Sequence, residues 1–217
     1  MRILRGPFRG AVIVMNPRNS MRKVLGLYEH ELNLWLELAL LRVTRVLDVG
    51  ANDGYFTFGC AAAFRRLGKT SEIIAFEPQQ QHMATLRESI DKQPIGATRI
   101  TLLQMLVGGE VRPGITTLDA VRWRTGDFES RSHTLVKIDV EGAEMDVLHG
   151  ASSWLNSTNY FMIEVHEKSF LEGITRLFES RGLRLTKIDQ QGLPFLGREM
   201  RAVTNWWLVS PLKVSVT

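Results

Sequence analysis

Cysteine is nearly missing from this 217-residue sequence: Cys60 is the only one, so no disulfide can form within the chain. Its neighbours, Gly59 and the alanines at 61–63, are small, which is typical of a buried thiol that packs as a small apolar group. A chain without disulfides is unlike a small secreted fold and fits a reducing compartment. We therefore expect a cytoplasmic location.

Long apolar runs are also missing near the start of the chain. The longest one there, residues 11–15, is too short for the core of a signal peptide and far short of the ~20 residues that cross a bilayer. We therefore expect neither secretion nor a transmembrane anchor. With 44% hydrophobic and 23% charged residues, the composition excludes disorder, collagen-like repeats and a membrane-embedded bundle, and it predicts a soluble globular chain.

Negative charge is scarce in the N-terminal residues. The net charge of the whole chain is +4, but the first 23 residues contain six basic side chains and no acidic one. Such a stretch could contact phosphate, nucleic acid or anionic lipid, although a solvated and partly mobile arm is the interpretation we favour. We assign residues 1–44 to this basic arm and to a helix, predicted at 31–41, that packs on the domain. Residues 45–217 form the domain itself.

Internal repeats, low-complexity tracts and linkers are missing too, which favours one domain. From residue 45 onward, short apolar runs alternate with segments of helical period, the pattern of βαβ units and a mainly parallel sheet. The predicted strands are 45–49, 73–76, 100–106, 135–138, 160–165, 183–188 and 206–209, and the helices between them are 55–67, 79–90, 143–148 and 168–180. The last strand follows the sixth without a clear helix, which predicts an antiparallel pair at the sheet edge. The glycine-rich residues 108–133 predict a surface loop or a substrate-facing insertion.

A glycine-containing turn follows the first predicted strand, but it is neither the dinucleotide pattern G-x-G-x-x-G nor a P-loop lysine motif. Asp48 is followed by Gly50 and Gly54, with Asn52 between them. Glycine at such a turn lets a ligand lie against bare backbone, and the next helix presents free N–H donors at its N terminus. The acid suits a ligand with an ammonium or sulfonium group better than a pyrophosphate. A purely structural turn is the alternative.

A second acid, Glu77, ends the second predicted strand and is followed by Pro78. A carboxylate at this place can accept two hydrogen bonds from a ribose diol. Because proline suits the first position of a helix, the alternative is an acid stabilised by the dipole of the following helix. Because Glu77 occurs together with the glycine-containing turn after the first strand, we favour ribose binding.

Two further acids, Asp139 and Glu141, follow the fourth predicted strand. They fall at the carboxyl edge of the sheet, where a carboxylate is costly to keep without a task or a partner. The next two acids along the chain, Glu144 and Asp146, are expected on the exposed face of the following helix.

The fifth predicted strand ends in Glu164 and His166, which face the same side of an extended segment. They could act as an acid/base pair or, with Asp139, bind a divalent metal, and a structural role for the histidine is also open. The other four histidines show no ligand spacing, and we predict no metal.

Taken together, the motifs resemble those of the FkbM family of S-adenosylmethionine-dependent methyltransferases, within the seven-stranded class I fold. They are LDVGANDGYFT at 47–57, AFEP at 75–78, TTLD at 116–119, VKIDVEGAEMDVLHGA at 136–151 and IEVH at 163–166, with WWLV at 206–209 in the terminal strand. The resemblance covers about residues 45–210. It implies a single doubly wound α/β domain with a mainly parallel sheet in the order 3-2-1-4-5-7-6, strand seven antiparallel, and helices on both faces.

The resemblance also implies where the site lies. Asp48, Gly50, Asn52 and Gly54 would surround the methionine moiety, Glu77 would hold the ribose hydroxyls, and Asp139 would lie near the methyl group. The complete expected cofactor-binding set is Asp48, Gly50, Ala51, Asn52, Gly54, Tyr55, Phe56, Thr57, Glu77, Pro78 and Asp139. The expected catalytic residues are Asp139, Glu141, Glu164 and His166, of which His166 is the best single base because a histidine pKa can lie near neutrality.

Two features depart from the family pattern. The stretch before the first motif is short, so we expect a substrate pocket that is open or completed by a second copy in a homodimer. Residues 104–108 are bulkier than the small residues usual after the third strand, which leaves the adenine contacts open. We predict O-methylation of a hydroxyl on a small molecule, sugar or glycan. The alternatives are an RNA or protein methyltransferase that uses the basic N-terminal residues, and a non-catalytic cofactor-binding protein.

Overall fold

A computed structural model describes residues 1–15, 20–121, 133–194, 196–197 and 206–212, with Trp206 described by its backbone alone. Seven strands form the central sheet: β1 Arg45–Val49, β2 Ser71–Phe76, β3 Thr98–Leu103, β6 Thr134–Ile138, β7 Tyr160–Val165, β8 Thr186–Ile188 and β9 Trp206–Val209. Two short strands, β4 Leu106–Val107 and β5 Ile115–Thr116, pair with each other outside it. The helices are α1 Met21–Val24, α2 Asn33–Leu40, α3 Tyr55–Arg66, α4 Gln80–Ile90, α5 Glu144–His149 and α6 Lys168–Ser180, and a 3₁₀ turn at His30–Leu32 precedes α2.

The order of the strands in the central sheet is β3-β2-β1-β6-β7-β9-β8. Counted along the chain without β4 and β5, this order is 3-2-1-4-5-7-6, as predicted. The last strand, β9, is antiparallel to both β7 and β8, and all other pairs in this sheet are parallel. Because β1 has β2 on one side and β6 on the other, the connections diverge there and leave a crevice at the carboxyl ends of these strands.

Helices cover both faces of the sheet, as predicted, and each face has its own hydrophobic cluster. Alternate residues of one strand point to opposite faces, so that Val46 packs with α2, α3 and α4 while Leu47 and Val49 pack with α5 and α6. Cys60 is buried in the first cluster, which confirms the prediction of a buried thiol. Within the described part of the chain, no helix has the length and apolar character that a bilayer crossing requires.

Four predicted strands have different bounds, and two of them differ only in a start that lies one or two residues earlier, β2 at Ser71 and β6 at Thr134. The predicted strand 100–106 divides: β3 ends at Leu103, whose carbonyl accepts a hydrogen bond from the Glu77 N–H, and the residues that follow pair with β5. The sixth strand starts at Thr186 rather than at residue 183. The reason is that Leu183 N–H bonds back to Phe178 and closes α6, with Gly182 at φ +68°. Of the predicted loop 108–133, residues 122–132 lie outside the described residues.

The N-terminal residues do not form a solvated arm over 1–15. They fold into a short antiparallel turn in which the Ile3 N–H bonds to the Ala11 carbonyl at 2.9 Å, and four apolar side chains enter the first hydrophobic cluster: Ile3, Phe8, Ala11 and Ile13. The Phe8 ring fits against Gly59, where a Cβ would lie only 2.3 Å from it. The expectation of a solvated arm weighed the charges and ignored the apolar residues between them.

Candidate active site

Residues 50–54, named the glycine turn from here on, connect β1 to α3. Gly50 has φ +81° and Gly54 has φ +86°, a conformation that favours glycine. A Cβ on Gly50 would lie 1.9 Å from the carbonyl oxygen of Asp139, so the chain after β6 passes directly against this position. The glycine is therefore required by a backbone contact between the ends of β1 and β6.

Glu77 ties the end of β2 to the glycine turn. Its Oε2 accepts a hydrogen bond from the Asn52 N–H at 2.8 Å, and its Oε1 accepts one from the Gln79 N–H at 2.9 Å. An ionised carboxylate offers about four acceptor positions, so these two bonds leave acceptor capacity for a ligand. The His82 ring also lies nearby, with Nδ1 3.6 Å from Oε1.

A cavity of about 250 Å³ opens beside these residues, at the carboxyl ends of the central strands. Its lining consists of Val49, Gly50, Asn52, Phe76, Glu77, Pro78, Gln79, His82, Met105, Leu106, Val107, Asp139, Val140, Glu141 and Ala143. Six of the predicted site residues are among them: Gly50, Asn52, Glu77, Pro78, Asp139 and Glu141. Residues 105–107 form an apolar part of the wall. They belong to the bulky stretch 104–108, for which the sequence did not predict the adenine contacts. A cavity at the point where the strand order diverges is where doubly wound folds bind small molecules.

Other predicted cofactor-binding residues lie beneath the cavity and do not line it. They are Asp48, Ala51, Gly54, Tyr55, Phe56 and Thr57, and all of them are buried. Asp48 has no exposed surface, and its Oδ2 accepts a hydrogen bond from the Thr57 hydroxyl at 2.5 Å. Burial raises the pKa of Asp48, and the nearby Lys137 and Thr57 lower it by less. In this structure Asp48 therefore contacts its neighbours under the glycine turn.

Lys137 is the partner of Asp48, and our sequence analysis did not select it. From the second-last position of β6 its Nζ reaches the Gly50 carbonyl oxygen at 2.8 Å, Asp139 Oδ2 at 3.1 Å and Asp48 Oδ1 at 3.2 Å. Burial lowers the pKa of Lys137, but Asp139 and Asp48 raise it by more, so the amine is charged. A lysine inside an apolar strand, two residues before an acid, was the available signal.

Asp139 joins the cavity to a second group, the His166 cluster, formed by His166, Asp139, Glu144 and Glu164. His166 Nδ1 lies 2.6 Å from Glu144 Oε1, and its Nε2 lies 3.7 Å from Asp139 Oδ1. The carboxyl group of Glu164 hydrogen-bonds to Asp139. The structure therefore brings three of the four predicted catalytic residues together, while Glu141 is exposed at the cavity wall.

The charges of this cluster shift two pKa values. The hydrogen bond to Glu144 raises the pKa of His166, with further contributions from Glu164 and Asp139, and these exceed the opposite effect of burial. Burial by itself raises the pKa of Asp139, but Lys137 and the hydrogen bond from Glu164 lower it by more, so the net pKa lies below its usual value. Asp139 is thus a carboxylate near a histidine that holds its proton more firmly than usual.

Glu144 does not lie on an exposed helix face, which corrects the expectation for this residue; Asp146 is exposed as expected. Glu144 begins α5 and is completely buried, because its side chain turns towards the end of β7. Its Oε1 also faces the backbone N–H of Gly142 and of His166, each at 3.4 Å. Glu144 and His166 are 22 positions apart in the sequence, which explains why no local pattern predicts the contact.

Three residues of the cluster, Asp139, Glu164 and His166, are also a possible cation site. Among the residues that the structure describes, these three form the one group whose metal-ligating atoms lie close together, within 4.8 Å of one another. Lys137 already supplies a positive charge 3.1 Å from Asp139. We assign no metal to this site.

Comparisons with known proteins show what this chain is similar to. Residues 86–185 match the family model described as the methyltransferase FkbM domain. This part of the chain is therefore similar to the FkbM methyltransferase domain. The chain is also 28% identical over 173 residues to the hexuronic acid methyltransferase AglP of Haloferax volcanii, a match that covers 70% of this chain and 69% of AglP. The predicted resemblance to the FkbM family is thus confirmed.

Solved structures show the same fold. A methyltransferase FkbM from Methylobacillus flagellatus matches 77% of this chain with a TM-score of 0.57 and 18% identity, and the chain spans 44% of that protein. The C-terminal domain of precorrin-6Y C5,15-methyltransferase from Rhodobacter capsulatus matches 81% of the chain and 85% of that domain, with a TM-score of 0.52 and 18% identity. At these identities the two structures show the fold alone.

Proposed function

We propose that this chain is an S-adenosylmethionine-dependent methyltransferase that O-methylates a hydroxyl group of a small molecule, sugar or glycan. The observation that carries the proposal is that the cavity brings Gly50, Glu77 and Asp139 to one wall, and that Asp139 belongs to the His166 cluster as well. A cofactor pocket and an acid/base group would then meet at one residue. The FkbM domain supports methyl transfer, and AglP, named as a hexuronic acid methyltransferase, supports a sugar acceptor.

The residues around the cavity fit S-adenosylmethionine in three ways. Glu77 has acceptor capacity for ribose hydroxyls, the residues 105–107 give an apolar surface for an adenine ring, and the carboxylates of Asp139 and Glu141 suit a positively charged sulfonium. Asp48 would act indirectly, through Lys137, which binds the Gly50 carbonyl. When bound, the cofactor supplies a methyl carbon that its positive sulfur already activates.

The protein then has two tasks, the alignment of the acceptor hydroxyl and the removal of its proton. His166 is the candidate base, and Nε2 is the nitrogen that would take the proton, because Nδ1 is bonded to Glu144. Asp139 would orient the hydroxyl, and Lys137 and Glu164 hold Asp139 in place. Because His166 must be neutral to accept a proton, its raised pKa predicts that activity increases towards alkaline pH.

The test is a methyl-transfer assay in which purified protein is incubated with S-adenosylmethionine and a panel of acceptors, and products are identified by mass spectrometry. The panel contains hexuronic acids, neutral sugars, glycans, small hydroxylated molecules, RNA and protein. Methylation of a hydroxylated sugar or small molecule is the expected result. Methylation of RNA or protein would support that alternative, and cofactor binding without turnover on any acceptor would support the non-catalytic one.

Variants of the His166 cluster test the assigned roles. We expect His166→Ala to lower turnover by roughly 10²- to 10⁴-fold, the usual contribution of a general base. Asp139→Ala should reduce turnover as well. His149→Ala, at an exposed histidine of α5, is the matched control and should leave turnover unchanged. Unchanged turnover in both cluster variants would remove the assignment.

The nucleic-acid alternative depends on the basic N-terminal residues, and three of these side chains are engaged within the chain, among them Arg9, which lies 3.8 Å from Glu37. Arg22 donates to the carbonyl oxygens of Leu196 and Gly197, and Lys23 pairs with Asp53 in the glycine turn at 2.5 Å. These contacts make a nucleic-acid acceptor less favoured than a sugar or small-molecule acceptor. The homodimer stays a prediction.

A further inference from the structure

We infer that Glu144 is a positioning residue that fixes the ring of His166 so that Nε2 faces Asp139, and that the acceptor hydroxyl binds between this nitrogen and Asp139 Oδ1. The inference deepens the proposed function and rests on it. It assigns a role to a residue that the sequence pattern had placed on a solvent-facing helix surface.

Glu144 contacts the imidazole ring of His166 directly. Glu144 Oε1 lies 2.6 Å from His166 Nδ1, a short distance typical of a charge-assisted hydrogen bond. An ionised carboxylate can only accept, so Nδ1 must carry a hydrogen. In the neutral imidazole the lone pair then lies on Nε2, which is the state that a general base requires.

A gap separates the other ring nitrogen of His166 from Asp139. Nε2 and Oδ1 are 3.7 Å apart, too far for a direct hydrogen bond. An acceptor hydroxyl carries one hydrogen, and from an oxygen about 2.7–2.9 Å from Nε2 it would donate that hydrogen to the nitrogen, with the Asp139 carboxylate beside it. Lys137 holds Asp139 through its other oxygen, Oδ2, and Asp139 lines the cavity proposed for the cofactor. A hydroxyl at this position would therefore lie next to that cavity.

The environment of Glu144 is unfavourable for a carboxyl group. Its side chain has no exposed surface, and its Oε2 has no hydrogen-bond partner among the described residues. A buried carboxyl group that is only partly satisfied is costly, and stability alone would favour an apolar residue there. The presence of an acid at this buried position is explained if it acts on His166.

The ionisable groups that face His166 come from three parts of the fold. Glu144 lies on α5, Glu164 lies at the end of β7, and Asp139 follows β6 with Lys137 behind it. Of these groups, Glu144 contacts Nδ1. Substitution of Glu144 should therefore change the tautomer or the pKa of His166, because the other carboxyl groups do not contact Nδ1.

The test compares Glu144→Gln, Glu144→Met and the control Asp146→Asn, which removes an exposed acid from the same helix. The direct readout is ¹⁵N NMR of the His166 ring over a pH series, with no cofactor or acceptor present. The glutamine oxygen can still accept from Nδ1, so we expect the tautomer to persist and the pKa of His166 to fall. Methionine offers no comparable acceptor, so we expect a mixture of tautomers.

In the methyl-transfer assay we expect Glu144→Met to lower kcat by roughly 10- to 100-fold with little change in the KM for S-adenosylmethionine. Glu144→Gln should lose less, and Asp146→Asn should match the wild type. An unchanged His166 tautomer and pKa in Glu144→Met would overturn the inference, as would an altered tautomer with full kcat. If Glu144→Met does not fold, an unchanged His166 pKa in Glu144→Gln overturns it instead.

A failure of the proposed function is distinguishable from these results. If the wild-type protein transfers no methyl group to any acceptor, the proposed function falls, and the docking of a hydroxyl at the cluster falls with it. The NMR comparison still decides whether Glu144 sets the state of His166, because it uses the free protein.

Discussion

Replacement of Lys137 by methionine tests whether the buried charges under the glycine turn hold the site together. Methionine keeps a flexible side chain but removes the positive charge, whose nitrogen lies 3.2 Å from Asp48 and 3.1 Å from Asp139. At an effective dielectric constant of ~20, each pair corresponds to about 5 kcal/mol of attraction. The cost of burying the charges opposes this attraction, so the net effect of the substitution is smaller than the sum.

The expected loss follows from what Lys137→Met leaves behind. Asp48 would be a fully buried carboxyl group without its cation, and removal of one partner of a buried pair typically costs about 3–5 kcal/mol. We expect this decrease in the free energy of unfolding, measured by urea denaturation at neutral pH with circular dichroism. Lys92→Met, at an exposed pair with Glu88, is the control and should change it by about 0.5 kcal/mol or less.

A double variant sharpens the test. Lys137→Met combined with Asp48→Asn removes the acid that would lose its partner, so part of the lost stability should return. A loss below about 1 kcal/mol in the single variant would refute the reasoning, because it would mean that the buried acids do not depend on the lysine.

Three further predictions concern the cavity and the cluster. In thermal unfolding, Gly50→Ala should destabilise the protein by more than Gly182→Ala. Both positions have a positive φ, which costs a non-glycine residue about 1–3 kcal/mol, but only at Gly50 would the new Cβ lie against backbone, 1.9 Å from the Asp139 carbonyl oxygen. Equal losses of stability would contradict this contact. Glu77→Gln should weaken S-adenosylmethionine binding by roughly 10- to 100-fold in calorimetry, and unchanged affinity would exclude ribose binding there. Because folding raises the pKa of His166, its stabilising effect is complete below pH 6.5 and is lost as the pH rises through the folded value. The difference in urea stability between wild type and His166→Gln should therefore shrink above pH 6.5, and a constant difference would contradict the shift.

Most of the fold could be predicted because its strands are set by local patterns. Residues 45–49, 160–165 and 206–209 match the observed strands, since short apolar runs bounded by turns specify strands directly. The ends of β3 and the start of β8 were misplaced, because they depend on where Leu103 and Leu183 form hydrogen bonds with distant or preceding elements. Such bonds leave no mark in the apolar pattern.

The candidate site could be predicted where chain topology alone brings residues together. Parallel strands end at one edge of the sheet, so Gly50, Glu77 and Asp139 were expected near one another, and they line one cavity. Lys137 and Glu144 were missed for a physical reason. Their importance lies in side-chain contacts across the fold, and a lysine in a strand or a glutamate on a helix is ordinarily a surface residue.

Isothermal titration calorimetry of the unmodified protein tests whether the cavity between the glycine turn and Glu77 binds S-adenosylmethionine. We expect a saturable binding heat of one-to-one stoichiometry with S-adenosylmethionine and with its demethylated product. Absence of binding heat with both compounds, confirmed by the absence of any shift in melting temperature, would contradict it.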